Sequence, residues 1–236
     1  MKLSNKLLLF TIIGLGALLL IVMFITRFYL SSDLDFEKFG KIETKEYQTD
    51  DFNGISSGGF TTWDISLKRN DSHYVRIEAG EQILKRVKVE VSNGILKLGL
   101  RPTKNIVLST IKAEIGLPFL SEFGSDGNVT LKLQNFEMDD LIINSNGMAK
   151  VKGVHNRIKN LSVEHSGFIV LRFADSLIDN ANLKIDGTGV ISLNIDNGSL
   201  TGELAGLIWL SHYGHVMKKA INTDGLVFIK KKKRRK

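Results

Sequence analysis

Along most of the chain, apolar and polar positions alternate one for one. Trp63, Ile65 and Leu67 alternate with polar residues, as do Val75, Ile77 and Ala79. Val87, Val89 and Val91 run into Ser92-Asn93-Gly94, and Leu96, Leu98 and Leu100 resume the pattern. An Asn-Gly step between two alternating runs predicts a β-hairpin, because a tight two-residue turn needs positive φ. Ile111, Ala113, Ile115 and Leu117 predict a further strand, stopped by Pro118. Neighbouring side chains of a strand point to opposite faces, so a period of two marks a half-buried strand. No amphipathic helical period follows the first thirty or so residues, so the folded part is expected to be all-β.

The second half of the chain repeats itself. Six segments share one spaced pattern: 121–131, 141–151, 161–171, 183–193, 200–210 and 219–229. A glycine stands at the seventh place of each: Gly127, Gly147, Gly167, Gly189, Gly206 and Gly225. Two places on come Val129, Ala149, Ile169, Ile191, Ile208 and Val227, and two further Leu131, Val151, Leu171, Leu193, Leu210 and Ile229. Upstream, Phe123, Ile143, Val163, Ile185 and Ile221 fill the third place, and only Gly202 breaks that column. The glycines recur at intervals of 20, 20, 22, 17 and 19 residues. A strand-forming period near this length is the mark of a solenoid. Each repeat would supply one coil, and coils would stack at about 4.8 Å. The expected fold is therefore a β-solenoid, like a single-stranded parallel β-helix, with the glycines at a bend where φ is positive or a side chain would clash. The alternative is an antiparallel β-sandwich of regularly spaced strands.

The start of the chain follows another rule. Lys2 and Lys6 precede an almost wholly apolar run from Leu7 to Ile25. About 20 such residues cross a bilayer core as a helix. The run leaves through Thr26-Arg27-Phe28-Tyr29, without the small-residue site of a cleaved secretory signal. An uncleaved signal-anchor over residues 7–26 is expected, with residues 1–6 cytoplasmic, since basic residues favour that side. Residues 27–50 are polar without sustained period and read as a linker. Residues 51–229 would form the β-repeat domain, facing outward from a bacterial cytoplasmic membrane that the chain crosses once.

Charge changes this picture at one place. The net charge is +7, but residues 230–236 are all Lys or Arg, and without them 25 basic residues face 25 acidic ones. A neutral body lacks the basic face that a nucleic-acid surface requires, so no nucleic-acid partner is expected. The tail, Lys230, Lys231, Lys232, Lys233, Arg234, Arg235 and Lys236, would attract anionic lipid or an envelope polymer, at about 1 kcal/mol per residue near such a surface. The chain has no cysteine, which excludes disulfides, thiol catalysis and Cys-ligated metals.

Candidate chemistry is sparse. Asp139 and Asp140 form an acidic pair between repeats, with Asp175 and Asp179 in a similar place further on. Carboxylates on neighbouring coils could flank a glycosidic bond or hold Ca²⁺, but solvated turn carboxylates are the simpler reading. His212 and His215 are three apart without an evident third metal ligand. His165 falls in an inward column, where a hydrogen-bonded core residue is the simpler reading. No phosphate-binding loop or nucleophile elbow occurs. No catalytic residue, cofactor or metal is expected. Trp209, between two inward residues, should face outward, with Phe168, Leu207 and Phe228 near it. Stacked coils would align these four into an exposed apolar stripe, the first place to look for a protein or polysaccharide ligand.

Short motifs occur in a telling order. Phe52-Asn53-Gly54-Ile55 opens the domain, the hairpin of residues 88–100 follows, and then the strand into Gly116-Leu117-Pro118. Glycine-centred repeats such as Asp186-Gly187-Thr188-Gly189-Val190 come next, and Asp224-Gly225-Leu226-Val227 ends the series. In this the chain resembles the bacterial putative auto-transporter adhesin, head GIN domain family, over about residues 50 to 229. The resemblance implies an envelope or secreted protein with a β-solenoid-like domain and no established catalytic residues. Where family repeats carry small Ser/Gly pairs, this chain has Glu164-His165-Ser166 and Glu203-Leu204-Ala205. Together these readings give a membrane-anchored, extracytoplasmic, adhesin-like binding or scaffolding module without catalysis. The alternatives are a β-helix carbohydrate-active enzyme, and a cytosol-facing domain that binds anionic lipid or nucleic acid through its tail.

Overall fold

A computed structural model describes residues 40–101 and 109–233. This part is all-β, with one short helical turn. Its strands are β1 (Ile42–Tyr47), β2 (Gly54–Arg69), β3 (Tyr74–Gly80), β4 (Val87–Ser92), β5 (Ile95–Leu100), β6 (Thr110–Leu117), β7 (Glu122–Gln134) and β8 (Glu137–Lys231). The turn α1 (Glu81–Leu84) follows β3 and buries Ile83 and Leu84. Among the described residues no helix is long and apolar enough to cross a membrane. The expected span 7–26 lies outside them, as do residues 1–6 and 234–236. The stretch read as linker carries β1, which pairs antiparallel with β3 from Ile42↔Gly80 to Tyr47↔Val75. The folded domain thus begins earlier than its alternation indicated. Lys and Glu fill both faces of β1, and all six of its residues stay at least partly exposed, so no apolar period marks it.

Pairing in the body is parallel. β2 lies on β7 from Gly54↔Glu122 to Lys68↔Gln134, with a bulge between Gly59 and Thr62. β7 lies on the start of β8 from Glu122↔Ile142 to Gln134↔Val154, an offset of exactly 20 residues throughout. β8 runs on for 95 residues of extended backbone, bent but unbroken. The same offset persists in its side chains: Asn180 Nδ2 donates to Asn160 Oδ1 at 3.1 Å, and Lys184 meets Glu164 at 2.6 Å.

The glycines explain the bends. Gly59 pairs with Gly127, and Gly127 with Gly147. A Cβ on Gly147 would lie 2.7 Å from the Gly127 carbonyl oxygen. A Cβ on Gly167 would strike the same atom of Gly147, and so on through Gly187, Gly206 and Gly225. Each of these glycines has φ between +94° and +130°. Only glycine adopts that backbone readily, and only glycine lets two chains approach so closely. This corrects one position read from the sequence. Gly187, with φ of 130°, stands in the column; Gly189 does not, and its φ is not positive. Gly189 is instead an inward residue between Ile169 and Ile208. Ile191 and Leu193 each move two places along with it, and Leu183 replaces Ile185 in the upstream column. The spacing becomes 20, 20, 20, 19 and 19.

The core lies inside these bends. Ile65, Leu131, Val151, Leu171, Ile191 and Leu210 are all buried, as are Trp63, Val129, Ala149, Ile169 and Ile208 beside them. Like residues sit over like, so each apolar side chain meets the side chains one offset before and after it. Sizes are matched within columns: a Cβ on Gly153 would collide with the Phe173 ring, which fills the space that glycine leaves. Filling such a space protects several kcal/mol that a cavity would cost. At a second bend Asn135 and His155 also have positive φ, and buried Asn156 accepts from Phe136 N at 3.0 Å and donates to Leu133 O at 3.1 Å. Backbone groups freed by the turn are satisfied there by an inward amide.

The two ends differ. β2 is covered by β5 over Gly54–Ser57 and by β6 over Thr62–Arg69. The β4–β5 hairpin and the antiparallel partners β3 and β1 then finish that end. The predicted Asn93-Gly94 hairpin is present, both residues with positive φ.

Candidate surface sites

Carrying the glycine register through β8 sorts the outward residues into columns. One place after the glycines from Gly147 onward come Met148, Phe168, Thr188, Leu207 and Leu226; three places after those from Gly167 onward come Val170, Val190, Trp209 and Phe228. Both columns lie on the outer face of the same strand segments. Met148 is 52% exposed, Phe168 41%, Trp209 44%, Leu226 64% and Phe228 53%. The Trp209 and Phe228 rings stack with centroids 5.9 Å apart and planes 15° from parallel. The four residues singled out from the sequence thus belong to two adjacent columns, Phe168 and Leu207 in one, Trp209 and Phe228 in the other. Sequence reading missed Met148, Val170, Val190 and Leu226; the corrected glycine register would have found all four.

The rim of this face is charged. Five places after the glycines stand Lys132, Lys152, Arg172 and, after Gly225, Lys230. One place before them, across the bend, stand Asp126, Asp186 and Asp224. The face is therefore an apolar strip with a largely basic border on one side and a mixed one on the other, where Asn146, Ser166 and Ala205 stand among the aspartates. Lys230, Lys231, Lys232 and Lys233 are exposed; Arg234, Arg235 and Lys236 lie outside the described residues.

The other side of the bend carries a shallow groove of about 430 Å³ lined by Ser145, His165, Glu164, Lys184, Asp186 and Glu203, among others. His165 is 2% exposed, and its Nδ1 lies 2.7 Å from Ser145 Oγ. Its Nε2 is buried without a hydrogen-bond partner. Desolvation holds its pKa below the ordinary histidine range, partly offset by hydrogen bonding. The imidazole is a neutral core group. Glu164 and Lys184 neutralise each other at 2.6 Å on the groove wall, and the cation's pKa is raised by that hydrogen bond.

Three of the four candidate carboxylates are spoken for as well, and the fourth, Asp175, is exposed. Asp139 pairs with Lys159 at 2.7 Å and Asp179 with Arg157 at 3.4 Å. Asp140 accepts from Asn160 Nδ2 at 3.0 Å and begins an outer ladder that continues to Asn180 and Ser199. His212 is buried and His215 exposed, so the two do not face one space. Among the described residues no three His, Asp or Glu side chains converge as a metal site would need.

The family profile of the putative auto-transporter adhesin, head GIN domain, DUF2807, matches residues 51–206. The chain belongs to this family. Among solved structures, a putative adhesin from Bacteroides fragilis is similar with a TM-score of 0.62 at 18% identity, covering 81% of this chain and 97% of its own. A putative lipid binding protein from Parabacteroides distasonis gives 0.49 at 18% identity, over 82% and 97%. A putative adhesin from Parabacteroides merdae gives 0.45 at 16% identity, over 82% and 97%. At these identities the likeness to the Bacteroides protein is one of fold. No protein of curated function matches the chain. The head GIN family match ends at residue 206, inside the repeat of residues 200–210, so Leu207, Trp209, Leu226, Phe228 and the basic tail all lie beyond the matched residues.

Proposed function

We propose that this head GIN domain is a β-solenoid that serves as a non-catalytic, adhesin-like binding module of the bacterial cell envelope. The solenoid reading is supported by the constant offset of 20 between paired residues and by the glycine-on-glycine stack. One observation carries the binding role: the two-column apolar strip with Trp209 stacked on Phe228. Exposed apolar faces of this kind are uncommon on isolated soluble domains and mark contacts. Its residues project from a β-scaffold rather than from a loop, so their spacing is preset and little entropy is lost on binding. A long, flat, repetitive partner, protein or polysaccharide, fits a strip repeated every 4.8 Å or so.

The anchor over residues 7–26 would hold the domain outside the cytoplasmic membrane, and the tail from Lys230 would add attraction to anionic lipid or wall polymer. An alkaline phosphatase fusion after residue 233 tests the topology; an inactive fusion would place the domain in the cytosol. The binding role is tested by retention of the full chain, in detergent, on immobilised envelope polysaccharides and surface proteins. The double variant Trp209→Ser, Phe228→Ser should lose at least about tenfold in retention. Unchanged retention on every polymer that holds the wild type would exclude the strip.

A further inference from the structure

The two ends of the stack are finished differently. At the front, β5 and β6 cover β2 and are themselves paired with β4 and β3. At the back, residues 219–231 stack on the preceding coil, as the seating of Gly225 over Gly206 and the hydrogen bond from Lys232 N to His212 O at 2.8 Å require. Among the described residues no strand lies on their far side. The inward ladder registers this at once. Leu204, Ile208 and Leu210 are at most 1% exposed, whereas their successors on the last coil lose that cover: Val227 and Ile229 are half-buried and Thr223 is exposed. Ile221, at the upstream corner, is likewise half-buried. An open strand edge also presents a row of backbone donors and acceptors, which natural sheets pair or block.

What could close this end is set by its charge. Residues 213–233 hold Lys218, Lys219, Lys230, Lys231, Lys232 and Lys233 against the single carboxylate of Asp224. The field is felt inside the fold: after desolvation, Lys219 and Lys231 help to lower the pKa of buried His212. A second copy meeting this end with its own would oppose two lysine clusters. Its front ends in the edges of β1 and β4, where Glu43, Glu46 and Glu90 are mixed with Lys45 and Lys88, so it offers no acidic face to meet the lysines. A lipid surface would satisfy the lysines but offers no ordered backbone partners to an extended edge.

We propose that the last coil is a docking edge for an extended, acidic polypeptide segment of a partner protein. The segment adds to residues 219–231 as one more strand through main-chain hydrogen bonds. Its alternate apolar side chains cover Ile221, Val227 and Ile229, and its carboxylates face Lys218, Lys219 and Lys230. This is strand addition, in which main-chain bonds supply affinity and side-chain pockets supply choice. The inference rests on the solenoid reading but not on the apolar strip, which belongs to a different face.

The test is fluorescence anisotropy of the full chain in detergent with a labelled nonapeptide alternating valine and glutamate. Saturable binding is expected. It should weaken at least about tenfold when alternate peptide amides are N-methylated, since those bonds are then lost. It should weaken comparably with Val227→Asp, with circular dichroism confirming the fold; the N-methylated peptide needs no variant to fold. A valine–lysine peptide should not bind. Affinity indifferent to N-methylation would overturn the proposal in favour of simple charge attraction. Binding to phosphatidylglycerol vesicles but not to the peptide would overturn it in favour of a lipid surface. A concentration-dependent dimer abolished by Val227→Asp, without peptide binding, would overturn it in favour of a second copy. Polymer retention through the strip is measured separately, so either proposal can fail alone.

Discussion

Gly187 and Gly189 are two residues apart, and replacing each by alanine should have opposite consequences. At Gly187, φ is +130°, a region closed to residues with a Cβ. The new methyl would land on the Gly167 carbonyl oxygen and within 3.0 Å of its carbon. That neighbour is backbone, locked in the same ladder, and cannot swing aside. Backbone strain of about 1–3 kcal/mol adds to about 1–3 kcal/mol for displacing a packed neighbour, a loss of about 4 kcal/mol in all. At Gly189 no strain arises. The methyl would meet Ile169 Cγ2 at 3.4 Å and Ile208 at 3.6 Å, ordinary contact distances inside the core. Burying it gains about 0.8 kcal/mol, and stiffening the unfolded chain adds about 0.4–1 kcal/mol; slight crowding of Ile169 opposes both. The net change should stay within about 1 kcal/mol of zero or be stabilising. Urea unfolding, followed by the fluorescence of Trp63 and Trp209, reads both variants. The Gly187→Ala midpoint should fall by about 1–2 M, at a slope of about 2–3 kcal/mol per M. Gly189→Ala should barely move. Equal losses, or a larger loss at Gly189, would refute the glycine-on-glycine stack and restore the register first read from the sequence.

Phe173→Ala should cost about 3–5 kcal/mol in the same assay, because Gly153 offers no side chain to close the cavity. Stability should also fall as pH drops through the ordinary histidine range. His165 and His212 are kept neutral in the fold by desolvation, so below about pH 6.5 the unfolded chain takes up protons that the folded chain refuses. The urea midpoint should be lower at about pH 5.5 than at about pH 7.5, and His165→Leu should flatten the difference. Glu114, whose pKa is lowered chiefly by Lys68, adds its own loss only nearer the carboxylate range. Asn180→Ala breaks the middle of the outer ladder, where Asn180 Oδ1 accepts from Ser199 N and Oγ. Those atoms are wet, so it should cost about 1 kcal/mol or less.

Much of this arrangement was legible in the sequence because one physical rule is applied many times. A coil that buries alternate residues repeats its apolar positions, and a bend that only glycine permits repeats its glycine. The columns through Val129 and Leu131 followed directly except at the fourth repeat, where Ile191 and Leu193 were placed two positions off. The error at Gly189 came from Asp186-Gly187-Thr188-Gly189, where two glycines two places apart both satisfy a period-two pattern; the carbonyl of Gly167 distinguishes them, as does the more even spacing that Gly187 gives. The parallel partner that β2 gives β7 was not visible as a repeat. Strands β3 to β6 are inserted between β2 and β7, which puts Gly59 68 residues from Gly127 rather than 20. β1 was hidden for a different reason. It is an edge strand exposed on both faces, and its pairing with β3 leaves no apolar signature. The buried Asn156 was equally silent, since its role depends on which turn lies above it.

The same rule separates residues that hold the fold from residues free to recognise a partner. Inward columns are constrained twice, by burial and by the identical position on the coils before and after. Gly153 under Phe173 shows how a large side chain in one coil demands a small one in the next. Outward columns carry no such demand. One column reads Thr130, Lys150, Val170, Val190, Trp209 and Phe228, passing from polar to aromatic along the stack, although the backbone beneath keeps nearly the same register. Stability offers no reason for that gradient, because exposed side chains at such positions rarely matter by more than about 0.5 kcal/mol. The apolar character also gathers toward the coils beyond the matched family region, where the lysines of the open end begin. A partner that reads this column would therefore meet its aromatic residues at Trp209 and Phe228, both past the matched residues 51–206.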